Sequence, residues 1–178
     1  LNPSSAASDV YKRQTLDKKD WICTQPFEFA ELFDHTMYMC CPQWLPTNLG
    51  NPNYVQKNWT SKKADKIRES IVDGSYRFCN EKRCPKLIGL KEGKTHGFIS
   101  REEFKNNLDK YIDAPIRSVK FNFDQSCNLM CPSCRPEKIN YEGALRARTE
   151  ELINNIEEQM GEGLERIETS GSVSYTHL

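Results

Sequence analysis

The chain has little of what several classes of protein require. Among its 178 residues, lysine and arginine together number 25 and aspartate and glutamate together number 25, so the formal net charge is zero. This balance provides no broad electrostatic surface for nucleic acid or anionic lipid, and we expect neither as a partner. No run approaches the roughly 18 apolar residues of a membrane span. The hydrophobic fraction of 37% is on the low side for a compact domain and does not assure a large core.

Cysteine, by contrast, is plentiful. The chain carries eight cysteines, several of them separated by only two to four residues. No charged-then-apolar export signal accompanies them, so metal binding is favoured over a disulfide framework. This pattern predicts a protein of the reducing cytoplasm.

The two ends differ in character from the rest of the chain. Residues 1–14 show no periodicity that continues into the following segment, and residues 172–178 stop abruptly. Both resemble translated adapter sequence of the kind that flanks open reading frames in environmental sequencing, and we expect both to be foreign to the fold. The expectation is an internal fragment of a longer protein.

The first half of the chain predicts small elements. Residues 15–60 mix aromatic residues and cysteines with turn residues, which indicates short strands, tight loops and a hairpin strand at Thr36–Cys41. Residues 61–73 have helical periodicity and end at a glycine. Residues 86–99 predict a linker with weak strand content around Leu87–Leu90.

The second half predicts longer elements. A capping box at Ser100–Glu103 opens a helix on which Phe104, Leu108 and Tyr111 share one face.

Beyond that helix, a strand at Arg117–Phe123, a helix at 141–160 and a strand at Leu164–Gly171 follow in order. This order of elements is that of a βαβ unit, which predicts that the two strands pair in parallel.

Three cysteines lie in the loop that follows the first of these strands. Cys127, Cys131 and Cys134 are separated by three residues and then by two. Three thiolates leave one position of a metal centre open, which suits catalysis, and cysteine sulfur is the ligand that holds iron–sulfur clusters. In parallel barrels, catalytic groups sit at this end of the strands. The alternative is a zinc ribbon in which Cys79 and Cys84 join Cys131 and Cys134.

A second set of thiols lies upstream. It consists of Cys23, one of Cys40 or Cys41, Cys79 and Cys84. Adjacent strand residues point to opposite faces, so we expect only one of Cys40 and Cys41 to be a ligand and favour Cys40. A zinc knot built on four thiolates is the alternative for this set.

The three-cysteine loop resembles the cluster loop of the radical S-adenosylmethionine (radical SAM) enzymes. The resemblance implies that Cys127, Cys131 and Cys134 hold a catalytic [4Fe-4S] cluster whose open iron binds S-adenosylmethionine. Reductive cleavage of that cofactor would give a 5′-deoxyadenosyl radical that acts on an unknown substrate. Ser170 and Gly171 match the opening of the family's short motif that contacts S-adenosylmethionine, while its acidic part is absent.

Residues 21–87 resemble a SPASM/Twitch-type auxiliary iron–sulfur domain. The features that carry the resemblance are the cysteine spacing, the Leu49-Gly50-Asn51 element, Trp59 before a serine-capped helix, and the closing Cys84-Pro85. The resemblance implies a second, fully ligated [4Fe-4S] cluster for electron relay or structure.

Together these patterns predict an α+β cysteine-rich cluster-binding domain over residues 15–90 and a linker with a helix over 91–114. The first βαβ unit of a partial TIM-type α/β barrel would follow over 115–171. The function predicted is that of a radical SAM enzyme, with an electron donor such as flavodoxin or ferredoxin as partner. The fragment alone is expected to be inactive. The alternative is a non-catalytic zinc-binding interaction module.

Overall fold

The computed structural model describes residues 15–33, 35–122, 142–160 and 163–169. Its strands are β1 (Trp21–Cys23), β2 (Phe29–Phe33), β3 (Thr36–Tyr38), β4 (Phe98–Ser100), β5 (Ser118–Asn122) and β6 (Arg166–Thr169). Its α-helices are α1 (Gln25–Glu28), α2 (Val55–Trp59), α3 (Lys62–Val72), α4 (Pro85–Lys91), α5 (Arg101–Asn106), α6 (Leu108–Tyr111) and α7 (Ala144–Met160).

Four strands form one open sheet in the order β3-β2-β5-β6. β2, β5 and β6 run parallel, and β3 pairs antiparallel with β2 at the edge. The predicted parallel pair is therefore present, with α7 on the connection between β5 and β6. β2 comes from the predicted auxiliary domain, yet its register with β5 runs from Phe29 opposite Ser118 to Phe33 opposite Asn122. The strands of the two predicted domains thus share one sheet.

The remaining strands form a small second sheet. β1 and β4 pair antiparallel, with Cys23 opposite Phe98 and Trp21 opposite Ser100. Ser100 then caps α5, because its hydroxyl accepts a hydrogen bond from the Glu103 N–H at 3.0 Å, as the capping box predicts.

Two groups of buried side chains form the core. The first, which we call the sheet core, joins the sheet to α2, α3 and α7, and includes Leu32, Val119, Trp59, Ile67 and Ile156. The second, the aromatic core, lies around the small sheet and includes Ile22, Phe27, Tyr76, Phe98, Phe104 and Tyr111. Phe27 and Phe104 pack with ring centroids 5.2 Å apart.

The sequence predicts α3 and α7 well. Ser61 caps α3 by accepting a hydrogen bond from the Ala64 N–H at 3.2 Å, and Gly74 follows the helix with φ +77°, a conformation that suits glycine. On α7, the apolar residues Leu152, Ile156 and Met160 are buried, as their spacing predicts.

The prediction of strand content around Leu87–Leu90 is wrong, because these residues lie in α4. Pro85 stands at the first turn and Cys84 at the N-cap, and proline at that position is pre-organised for a helix. Leu87 and Leu90 are buried on the inner face of α4. A short apolar run alone did not distinguish strand from helix.

The single helix predicted after Ser100 is interrupted at Asn107. This residue has non-helical angles, φ −130° and ψ 36°, and its side-chain amide donates to the Glu103 carbonyl at 2.8 Å. An asparagine side chain that bonds the nearby backbone competes with the helix in this way. Leu108 is consequently 41% exposed instead of buried beside Phe104 and Tyr111.

Within the described ranges, no helix combines the length and the apolar character needed to cross a bilayer. The three-cysteine loop with Cys127, Cys131 and Cys134 lies outside the described residues, as do Ser170 and Gly171.

Candidate metal centre of four thiols

Four cysteines from separate segments meet where the two cores adjoin. Cys23 ends β1, Cys40 follows β3, Cys79 lies in the loop after α3, and Cys84 is the N-cap of α4. Cys40 belongs to the sheet core, Cys23 and Cys84 belong to the aromatic core, and Cys79 packs against both. We call this group the four-thiol site.

The electrostatics show that these thiols are neighbours. Burial raises the pKa of the Cys40 thiol, and Cys23, Cys84 and Cys79 each raise it further. The pKa of Cys79 rises to about 12, first through burial and then through Cys23 and Cys84. Mutual opposition to ionisation is the behaviour of like-charged groups crowded in a site of low dielectric.

The thiols are also chemically available. Cys23, Cys40 and Cys84 are buried, Cys79 is half-buried, and all four are free cysteines. Free, buried and neutral thiols become ligands when a metal displaces their protons. The four thiols are therefore able to become thiolate ligands when a metal binds.

Cys79 and Cys84 are held by a tight loop around Asn80. The Asn80 carbonyl accepts from the N–H groups of Arg83 at 3.1 Å and Cys84 at 2.8 Å. The Asn80 side chain accepts from the Lys82 N–H at 3.1 Å, which forms an Asx turn. The Asn80 N–H donates to the Trp44 carbonyl at 2.6 Å, so this loop is tied to the segment that follows Cys40.

The Tyr76 side chain holds the backbone of Cys23 in place. It is 1% exposed, and its hydroxyl donates to the Trp21 carbonyl at 2.7 Å and accepts from the Cys23 N–H at 3.2 Å. The Tyr76 carbonyl accepts from the Cys79 N–H at 2.8 Å. One residue thus bonds to the backbone of two thiol-bearing residues. The sequence did not predict this role of Tyr76, whose one signal is a bulky residue two positions after Gly74, in the turn that follows α3.

Cys40 and Cys41 differ in their surroundings, although both lie beyond β3, which ends at Tyr38 and not at Cys41 as predicted. Cys40 is 8% exposed and interacts with the other three thiols. Cys41 is half-buried against the sheet core, and its carbonyl accepts from the Trp44 and Leu45 N–H groups, each at 2.9 Å. The geometry thus brings Cys40 into the four-thiol site.

The donor set fits a tetrathiolate centre in number and type, since four cysteines hold either an iron–sulfur cluster or a structural zinc ion. Across the described ranges, however, no three Cys, His, Asp or Glu side chains stand close enough together to hold a single metal ion, so a bound centre would require the thiols to move closer to one another.

A separate cleft lies on α3 and contains no cysteine. Its volume is about 420 Å³, and Phe27, Val72, Phe104 and Ile112 provide its apolar lining. Arg68 lines it too, with its guanidinium 4.3 Å from the Trp59 ring centroid and hydrogen-bonded to the Pro26 and Trp59 carbonyls. These contacts satisfy the arginine within the fold, so its position is explained by packing.

Comparison with known proteins gives no relative: no family model, no curated protein and no solved structure matches the chain. The arrangement of its own residues therefore carries the functional argument.

Proposed function

We propose that the four-thiol site binds an auxiliary [4Fe-4S] cluster and that the chain is part of a radical SAM iron–sulfur enzyme. One observation supports this best: Cys23, Cys40 and the Cys79–Cys84 loop come from three separate parts of the chain, and their free thiols interact with one another. A complete set of four thiolates leaves no open iron, so this cluster would relay electrons or stabilise the fold.

The catalytic centre in this proposal rests on the sequence. Cys127, Cys131 and Cys134 would hold a second [4Fe-4S] cluster, and Ser170 and Gly171 would contact S-adenosylmethionine. When bound, that pair of cofactors supplies reductive cleavage of S-adenosylmethionine to a 5′-deoxyadenosyl radical. The position of β5 supports the assignment, because this parallel strand ends at Asn122, five positions before Cys127.

The remaining parts of the proposal follow from the chemistry. Iron–sulfur sites require reduced cysteines, which the cytoplasm provides. A flavodoxin or ferredoxin would deliver the electrons, the substrate remains unassigned, and neither nucleic acid nor a membrane is a proposed partner.

Anaerobic reconstitution of the full chain with iron and sulfide tests the proposal. A variant with Cys127, Cys131 and Cys134 all changed to Ala isolates the four-thiol site. We expect this variant to show a broad visible absorption that bleaches with dithionite. A colourless protein that instead holds zinc tightly would overturn the iron–sulfur assignment.

A matched pair of substitutions in the same background assigns the ligand. Cys40→Ser should lose the absorption because it removes one of four ligands, whereas Cys41→Ser should keep it. Far-ultraviolet circular dichroism verifies that both variants are folded. Equal retention of iron by the two variants would contradict the placement of Cys40 in the site.

A further inference from the structure

The cleft beside α3 has a rigid apolar floor. The buried rings of Phe27 and Phe104 line it, and Tyr111 stacks on Phe104 with ring centroids 5.4 Å apart. Val72 and Ile112 also line the cleft, yet they remain 37% and 50% exposed. Its volume of about 420 Å³ lies within the range of about 300–1,000 Å³ that ligand sites occupy. Exposed apolar side chains beside such a cavity mark a surface that binds an apolar group.

The rim of the cleft is acidic. Four exposed carboxylates line it, those of Asp65, Glu69, Asp73 and Asp113, against the single guanidinium of Arg68. Four negative charges and one positive charge give the lining a formal charge of −3. The chain as a whole has a formal net charge of zero, so negative charge is concentrated at this place. A cleft lined by one sign of charge attracts ligands of the opposite sign.

Two of the four carboxylates already have partners in the protein. Asp65 lies 3.5 Å from the Arg68 guanidinium, and Asp73 lies 2.7 Å from that of Arg77. The Arg68 guanidinium also donates to two main-chain carbonyls, at 3.0 and 3.2 Å. These bonds hold it within the fold, and its one charge cannot compensate the remaining carboxylates.

Glu69 and Asp113 are the other two, and they form no ion pair with any residue that the structure describes. Glu69 lies on α3, one turn before Val72, whereas Asp113 directly follows Ile112. Each uncompensated carboxylate therefore stands beside an exposed apolar side chain. This arrangement is complementary to a ligand that carries a cation next to an apolar group.

A second cavity adjoins the cleft and lengthens it. Its volume is about 290 Å³, and it shares Asp65, Arg68 and Asp113 with the first cavity. Gln56 and Thr60 give it a polar lining. We call the two cavities together the acidic groove. Because the carboxylates lie where the two cavities meet, the groove suits an extended occupant better than a compact one.

We propose that the acidic groove binds an extended segment of a partner protein in which an apolar side chain stands next to a lysine or an arginine. The apolar side chain would lie against Phe27 and Phe104, and the cation would pair with Glu69 or Asp113. The inference goes beyond the proposed function and does not depend on it, because none of the residues that line the groove is a cysteine.

Selection from a phage-displayed library of random peptides on the full, reduced chain tests the proposal. We expect enrichment of peptides with an apolar residue next to lysine or arginine. The enriched peptides, synthesised with a fluorescein label, should bind in fluorescence anisotropy. Their binding should weaken in about 1 M salt, where the screening length is about 3 Å. A failure to enrich any peptide, or enrichment of acidic ones, would overturn the proposal.

A charge variant locates the binding. Glu69→Gln combined with Asp113→Asn should weaken the binding of the enriched peptides about tenfold, because two exposed ion pairs are lost. Asp113 has φ +58°, a conformation that asparagine tolerates as aspartate does. The matched control combines Glu157→Gln with Glu158→Gln, two exposed residues of α7 outside the groove, and should bind like the parent.

An apolar variant tests the floor independently. Ile112→Ser should also weaken binding about tenfold, because it removes apolar surface that the ligand would cover. Ile88→Ser is its control, since Ile88 is 40% exposed on α4, outside the groove. Thermal unfolding verifies that all four variants are folded.

Three results would contradict the assignment. Equal affinity of the parent and both groove variants would place the peptides elsewhere on the molecule. Competition by phenethylamine as tight as the peptide itself would make the cleft a site for a small amine. A parent that sediments as a dimer, and as a monomer after Ile112→Ser, would assign the groove to a second copy of the chain.

Discussion

Tyr76→Phe removes a single oxygen atom, the hydroxyl that is hydrogen-bonded to the backbone of Cys23 in the four-thiol site. In the folded protein this hydroxyl satisfies the Cys23 N–H at 3.2 Å and the Trp21 carbonyl at 2.7 Å. The ring itself would remain buried in the aromatic core. The substitution therefore measures the two hydrogen bonds without opening a cavity.

The expected loss follows from the burial of the two partners. Leaving a buried polar group unpaired costs about 1–3 kcal/mol. Cys23 is 8% exposed, so its N–H bears close to the full penalty, whereas Trp21 is half-buried and its carbonyl regains some water. We expect the free energy of unfolding to fall by about 2–3 kcal/mol.

Urea unfolding of the metal-free, reduced protein, followed by tryptophan fluorescence, measures this change as a shift of the midpoint at constant slope. Tyr54→Phe is the control, because Tyr54 is 60% exposed and surface substitutions change stability by less than about 0.5 kcal/mol. If Tyr76→Phe is no more destabilising than Tyr54→Phe, the hydroxyl does not support the site in the way described.

Two further predictions concern other parts of the fold. Ile156→Ala should destabilise the protein by about 2–5 kcal/mol, because Ile156 is 1% exposed in the sheet core. Ile167→Ala should have little effect, because Ile167 is 52% exposed. Thermal unfolding compares the two variants, and equal losses of stability would refute the placement of α7. The pKa of Asp73 is lowered by hydrogen bonds from Ser75 and by Arg77, so its carboxylate stabilises the fold above its ordinary pKa of 3.8 and the contribution disappears as the pH falls below it. Asp73→Asn should therefore be less stable than the parent at pH 7 and equal to it near pH 2 in urea unfolding; a difference that is the same at both pH values would show that the charge is not the cause.

Local patterns were sufficient to predict the elements that local chemistry determines. A serine cap and a closing glycine defined α3, and the spacing of Leu152, Ile156 and Met160 defined the buried face of α7. Where two local signals competed, the prediction failed. Proline at the first turn outweighed the apolar run around Leu87–Leu90, and the Asn107 side chain broke a helix that periodicity alone would continue.

Long-range pairing was harder to foresee. Nothing in residues 29–33 indicates that they pair in parallel with β5, because strand partners distant in sequence leave no local signature. Cysteine spacing, by contrast, is a local signal, which is why the sequence alone singles out Cys23, Cys40, Cys79 and Cys84 as candidate ligands.

The pairing of β2 with β5 has a consequence for how the molecule is made. The connection between these strands contains Cys40, Cys79 and Cys84, and Cys23 lies just before β2. All four thiols therefore leave the ribosome before β5 does, since chains emerge from the N-terminus. A centre bound at that stage would cross-link the connection and shorten the free loop that β2 and β5 must close, which lowers the entropic cost of closure. Metal supply during synthesis would then govern how fast the central strand joins its sheet.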